Sequence, residues 1–195
     1  CEGTPAEPHR AFDFHSGENE NSIVDGFTMI GGCAWKGGAV LCTNSSPKFV
    51  NCRFQENEAT EDDTGGGAVY NENSSPTFQN CIFRNNLAMP SASYGGAITN
   101  SASHPTITLC TFVNNRAWAG GAVYNEDRSS PALNDCQFNE NQAARGGAIG
   151  NSGSSPTISN CKFRANSATS CGGAVNNLSQ SDSTIDNCIF TNNSA

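Results

Sequence analysis

The sequence predicts an all-β protein, a parallel β-helix of about seven coils, and three observations predict it. A unit of 25 to 29 residues recurs six times, beginning at Gly37, Gly66, Gly95, Gly120, Gly146 and Gly172, and periods of that size mark solenoids and other repeat arrays. Each copy runs from G-G-A-[VI] through a polar stretch to C-x-F-x-x-N-x-A, and this last motif is unbroken in all six copies. The apolar residues come in short bursts of Val, Ile and Phe, broken by Asn, Ser, Gly and Pro. That is strand composition with turn punctuation. A helical repeat would need apolar residues at i, i+3, i+4 and i+7 over ten or more positions.

Residues 1–36 form a lead-in with degenerate coils. Phe12 and Phe14 alternate with polar neighbours as a strand does. The stretch from Ile23 to Thr28 reads as a worn copy of the C-x-F strand, with Asp25 in the Cys place and Phe27 in the Phe place. Six repeats fill 37–195, as part of a longer array. Five copies carry a proline (Pro47, Pro76, Pro105, Pro131, Pro156), with Ser183 in the sixth, always five residues before the Cys. Fixed spacing belongs in packed strands and variable length in protruding loops. The variable part is the link from the closing Ala to the next Gly-Gly: six residues after Ala59 and Ala88, fewer in later copies. Three short strands fit each period, at Gly-Ala-Val, at the residues after the proline, and at Cys-x-Phe. Stacked coils put like residues over like, about 4.8 Å apart.

The expected columns follow. Val40, Val69, Ile98, Val123, Ile149 and Val175 make one; Phe49, Phe78, Ile107, Leu133, Ile158 and Ile185 make another. Phe27, Phe54, Phe83, Phe112, Phe138, Phe163 and Phe190 would stack rings seven deep. The Asn column is Asn57, Asn86, Asn115, Asn141, Asn166 and Asn193. Asn tolerates a left-handed turn; it can also bond turn amides and the Asn above and below as an amide ladder. The ladder is favoured because neither Gly nor Asp replaces it in any copy.

Phe and Val/Ile on a fixed beat argue against disorder despite a mean hydropathy of −0.45. A net charge of −8 makes a nucleic-acid partner unexpected, and the acidic surface reads as one that keeps the chain in solution. No apolar run approaches the roughly 20 residues that span a bilayer. The chain begins with Cys, without an initiator Met or signal peptide, and reads as a mature piece or a segment of something longer.

The paired motifs GGA[VI] and F-x-x-N resemble the repeats of the chlamydial polymorphic outer membrane proteins, and more widely those of parallel β-helix proteins on bacterial surfaces. The likeness covers residues 23–195. It implies a right-handed, pectate-lyase-like helix, exported to the cell surface or secreted, serving adhesion or surface structure. The Cys in every copy is not part of the F-x-x-N motif, and fold does not carry function.

Six of the ten cysteines share one column, Cys52, Cys81, Cys110, Cys136, Cys161 and Cys188, with Cys1 a possible extension. Zinc would want C-x-x-C pairs or His partners; buried thiols filling a core position are the plainer reading, since stacked in-register cysteines have poor disulfide geometry. Cys33, Cys42 and Cys171 stand outside the column and could form local bridges in an oxidising compartment. Glu61, Asp62 and Asp63, with Glu58, form the densest acidic group and a calcium candidate; Glu126, Asp127 and Arg128 form a second. A solvated charged loop explains either. Neither recurs in the next coil, so no catalytic constellation or other cofactor is expected. The Thr77, Thr106, Thr157 and Thr184 column is broken by Lys48 and Ala132, which argues against an ice-binding face. Tyr70, Tyr124, Trp35 and Trp118 offer sugar-stacking surfaces or cover the core edge.

The expected function is that of an exported structural or adhesive rod whose ends continue into further repeats or a second copy stacked head to tail, building a filament. Host or environmental glycans are its other expected partners. The alternative is a polysaccharide-binding module or a lyase or glycosidase, which would cluster acidic and basic residues on one strand face.

Overall fold

In the computed structural model, which describes residues 9–89 and 92–195, every coil gives one strand to each of three seven-stranded parallel sheets. The first runs from Phe12–Phe14 through Val40–Thr43 and on to Val175–Leu178; the second from Ile23–Asp25 to Thr184–Asp186; the third from Thr28–Ile30 to Ile189–Thr191. No helix occurs among the described residues. A fourth face was not foreseen. Cys33–Ala34, Glu58–Ala59 and Leu87–Ala88 form a short sheet, and Gln142–Arg145 pairs with Ser167–Cys171. The x-Ala that closes each motif is extended too, and its column of buried alanines, Ala59, Ala88 and Ala117, lets this face lie close.

Register is strict. Val69 pairs with Val40 and Ile98, Phe78 with Phe49 and Ile107, and Phe83 with Phe54 and Phe112. The alternating side chains of short strands then send one set inward from all three sheets, and that set is the core. From Phe54 to Phe190 the rings stack with centroids 4.5 to 4.8 Å apart and planes within 6°. The Gly-Gly pair fits the tightest corner. Gly66 is left-handed (φ 64°), and a Cβ on Gly67 would stand 2.2 Å from the Gly96 carbonyl oxygen.

The ring stack is six deep, and Phe27 is not in it. Met29 occupies that layer, paired with Phe54, while Phe27 is 57 % exposed. The lead-in is a full coil whose inward residues are Val24, over Phe49, and Met29, over Phe54. Their separation of five residues matches Phe49 to Phe54 and Phe78 to Phe83. Aligning the stretch on its phenylalanine therefore misplaced it by two positions. Phe12 and Phe14 form the expected strand, opposite Val40 and Cys42.

Candidate functional site

The predicted Asn column is a hydrogen-bond ladder. The Oδ1 of Asn115 accepts from the main-chain N (3.0 Å) and the Nδ2 (2.9 Å) of Asn86, and its Nδ2 donates to Asn141 Oδ1 and to the Phe83 carbonyl. The same pattern runs from Asn57 to Asn193. The left-handed residues are the ones before the ladder Asn, such as Glu56, Asn85 and Asn114, and those before the Cys, such as Asn51 and Asn80. The ladder residue thus serves by its amide and not by its φ.

A second buried ladder was missed. Asn71, Asn100, Asn125 and Asn151 are buried inward from the first sheet, and the column ends on exposed Asn177, each Nδ2 donating to the next Oδ1 at 2.7 to 2.8 Å. Its signal was G-G-A-[VI]-x-N: Asn two after an inward Val or Ile faces inward as well. A serine column adds a third: the Ser74 N–H donates to Ser103 Oγ and that of Ser103 to Ser129 Oγ.

The six column cysteines are unbridged thiols, the first five buried. Cys52 donates its S–H to the Val50 carbonyl at 3.2 Å, and the Cys136 N–H donates to Cys161 Sγ at 3.4 Å. Contact with the Cys81 thiol, then burial, pushes the Cys52 thiol up; contact with Cys110 pushes Cys81 up to about 12. Contact with Cys136 lowers the Cys161 thiol, and the enclosed thiols of the column fill core positions as packing groups. The expected local bridges are corrected in part: Cys33 is disulfide-bonded, whereas Cys42 and Cys171 are free. Cys42 is buried at the head of the second Asn ladder, opposite Asn71. Cys1 lies outside the described residues.

The calcium candidate does not assemble. Glu61, Asp62 and Asp63 are exposed, and no set of three or more His, Cys, Asp or Glu able to hold a metal forms among the described residues. The Glu61 carbonyl, an oxygen such a site would use, already accepts the Thr64 and Ser93 hydroxyls.

Chemistry gathers instead on the outer face of the first sheet. Here Tyr70, Thr99 and Tyr124 form one outward column, and Glu72, Ser101 and Glu126 the next. Lys36 Nζ lies 2.9 Å from Glu72 Oε2 and 4.7 Å over the Tyr70 ring. Tyr94 stacks on Tyr124 at 4.4 Å and meets Trp118 edge-on, and the Arg145 guanidinium covers Trp118 at 4.9 Å. Burial, then the charge of Asp127, pushes the Glu126 carboxyl up to about 7. Burial, then the charge of Glu126, pushes the Tyr70 hydroxyl up to about 12. Asp127 is held by the Ser101 hydroxyl at 2.7 Å. Beside this corner lies a cleft walled by Ala88, Met89, Arg116 and Trp118 and floored by Ala143 and Ala144, where the long connection after Ala88 gives way to shorter ones. The sequence had singled out Glu126 and Asp127 as one group with Arg128, and Tyr70, Tyr124 and Trp118 apart from it; only the coil spacing brings them together. Trp35 stays apart, 44 % exposed.

Such a corner can bond hydroxyl groups through its carboxyls and serines and offer a proton from Glu126 near neutral pH, while the buried rings of Tyr70 and Tyr124 are already covered by Lys36 and Tyr94. A family model for right-handed β-helix regions matches residues 11–112 and 37–195. Comparison with curated proteins finds no match.

Proposed function

Because the chain belongs to the right-handed β-helix family, we propose that it works as a stiff structural or adhesive rod of an exported surface or extracellular protein. The observation that carries this reading is the unbroken register: three sheets and two amide ladders pass through successive coils without a slip, so bending the axis strains buried bonds in every layer. The disulfide at Cys33 supports an oxidising destination, and the GGA[VI] and F-x-x-N motifs support a place among surface repeats. The test is to incubate the protein with a panel of neutral and acidic polysaccharides and assay new reducing ends and unsaturated products. A rod binds without turnover; sustained product release overturns the reading.

One observation favours a second reading, a saccharide site with catalytic capacity: the half-buried Glu126 carboxyl among Tyr70, Tyr124 and Asp127. Turnover that disappears in Glu126→Gln while the fold persists would select it.

A further inference from the structure

The outer face of the third sheet carries a charge opposite to that of the molecule. Eighteen acidic residues outnumber ten basic ones along the chain. Yet the outward positions of this sheet's seven strands, from Thr28 and Ile30 to Ile189 and Thr191, include no Asp or Glu. They include Arg53, Arg84, Lys162 and Arg164, all exposed. None of the four forms an ion pair or a side-chain hydrogen bond among the described residues, whereas Arg10 pairs with Asp13 and Lys36 with Glu72. The nearest carboxylates along the chain sit in the turns beyond the strands, Glu56 and Glu140, and Glu56 already accepts from the Gln55 amide at 2.8 Å.

The face is also grooved. Arg53, Gln55, Ile82, Arg84, Thr111 and Val113 line a shallow channel over three adjacent coils, with Arg53 and Arg84 on neighbouring strands. Lys162 and Arg164 stand three coils beyond Arg84, a distance of about 14 Å at about 4.8 Å per coil. The intervening strands present hydroxyl and amide groups at Thr111, Gln137 and Asn139. The strands that carry these four residues, from Arg53–Gln55 to Lys162–Arg164, are each paired on both sides, so this stretch of the face offers no backbone edge for a peptide to extend.

The geometry points to an anionic linear polysaccharide, bearing carboxylate or sulfate groups, lying along this face with its charges on Arg53 and Arg84 at one end and on Lys162 and Arg164 at the other. Its hydroxyls meet the amides and hydroxyls between. This deepens the adhesive reading by giving the rod a ligand class, but it stands on a different face from the tyrosine and carboxyl corner. Guanidinium groups bind such oxyanions in bidentate fashion. The remaining negative charge of the molecule disfavours polyanions elsewhere and so orients the ligand.

The experiment measures binding of the intact protein to polygalacturonate and heparin, with dextran as the neutral control and poly-glutamate as the acidic-peptide control, at several salt concentrations. The expected result is salt-sensitive binding to the charged glycans with little to dextran or poly-glutamate. Arg53→Gln/Arg84→Gln should weaken it at least tenfold and flatten the salt dependence; Lys162→Gln/Arg164→Gln should do the same. Thermal unfolding checks that each double variant is folded, and because all four side chains are exposed, both should be. A variant that loses its fold is replaced by the other pair. Absence of binding at low salt, equal binding of poly-glutamate, or binding that survives both double substitutions overturns the proposal. Glycan turnover mapped to Glu126 would overturn the rod reading alone and leave this one standing.

Discussion

The two amide ladders use the same residue for different work. In the turn ladder from Asn86 onward each Oδ1 accepts two bonds, one from a main-chain N–H and one from an amide, and each Nδ2 also reaches a phenylalanine carbonyl, whereas Asn57 at its head accepts from the Gly32 N–H and reaches the Met29 carbonyl. In the strand ladder each rung is a single Nδ2 to Oδ1 bond, because the strand backbone is already paired with its neighbours in the first sheet. A turn inside a solenoid has no neighbour strand to absorb its amides, and buried unpaired amides are costly. The turn position accordingly holds Asn in all six copies, whereas the strand position gives way to Cys42 in the first repeat. That replacement has a visible consequence: the Oδ1 of Asn71, which an amide from the preceding coil would satisfy, is buried without a partner.

The comparison breaks first at Asn115. In Asn115→Ala the main-chain N–H and one amide hydrogen of Asn86 lose their acceptor, and the Phe83 carbonyl loses a donor. At roughly 1–3 kcal/mol for each buried group left unsatisfied, the variant should lose about 3–5 kcal/mol. Urea unfolding followed by circular dichroism measures it. An unchanged midpoint would remove the ladder from any account of stability.

Asn100→Ala tests the other side. Only the Asn71 amide and the Asn125 Oδ1 are stranded, and no backbone group is involved. A loss of about 2 kcal/mol is expected. Equal losses at positions 100 and 115 would mean that the backbone amide adds nothing, and the proposed distinction between turn and strand would fall.

The strand that buries Asn125 puts Glu126 on its outer surface, where a carboxyl has burial without a ladder. Its folded value of about 7 lies above the ordinary 4.5, so between these values the folded state binds the extra proton. Stability from this group is therefore complete below about pH 4.5, drains as the pH rises, and is gone above about pH 7. Glu126→Gln should remove that slope and be more stable than the parent by about 1–2 kcal/mol at pH 8, with no difference at pH 4. Unfolding at both pH values decides it, and a parallel pair of curves would show that Glu126 is not desolvated.

Much of this was legible because the repeat imposes its own alignment. The spacing of C-x-F-x-x-N gave the ring stack, the thiol column and the turn ladder, since each lies a fixed distance from the others. Inward Asn on the first sheet was equally regular, but it sits in a run of polar residues where nothing local separates an inward Asn from one in a turn. Phe27 failed for the opposite reason: an aromatic residue drew the alignment, although Val24 and Met29 carry the five-residue spacing of the core. The outer faces were the least readable. Glu126 and Tyr70, or Arg53 and Arg84, are neighbours only after coils of 25 to 29 residues are closed, and nothing in the local sequence marks which outward residues will share a face.

The smallest expected effect lies at the turn before each Cys. That position is left-handed in every repeat, at Asn51, Asn80, Leu109, Asp135, Asn160 and Asn187. Five of these are Asn or Asp, which visit this region readily; Leu109 is at φ 56° and 54 % exposed, a conformation that costs an ordinary side chain about 1–2 kcal/mol. The outer amides also pair where both are present, Asn80 Nδ2 to Asn51 Oδ1 at 2.7 Å and Asn187 Nδ2 to Asn160 Oδ1 at 2.6 Å. Leu109→Asn should relieve the strain and set an amide beside Asn80, for a gain of about 1 kcal/mol. Leu109→Gly separates the two contributions, since it frees φ but carries no amide. If glycine stabilises as much as asparagine, solvent-facing amides contribute nothing, and only the enclosed ladders tie one coil to the next. If asparagine does better, the same stacking acts outside the core, weakened by water but still present.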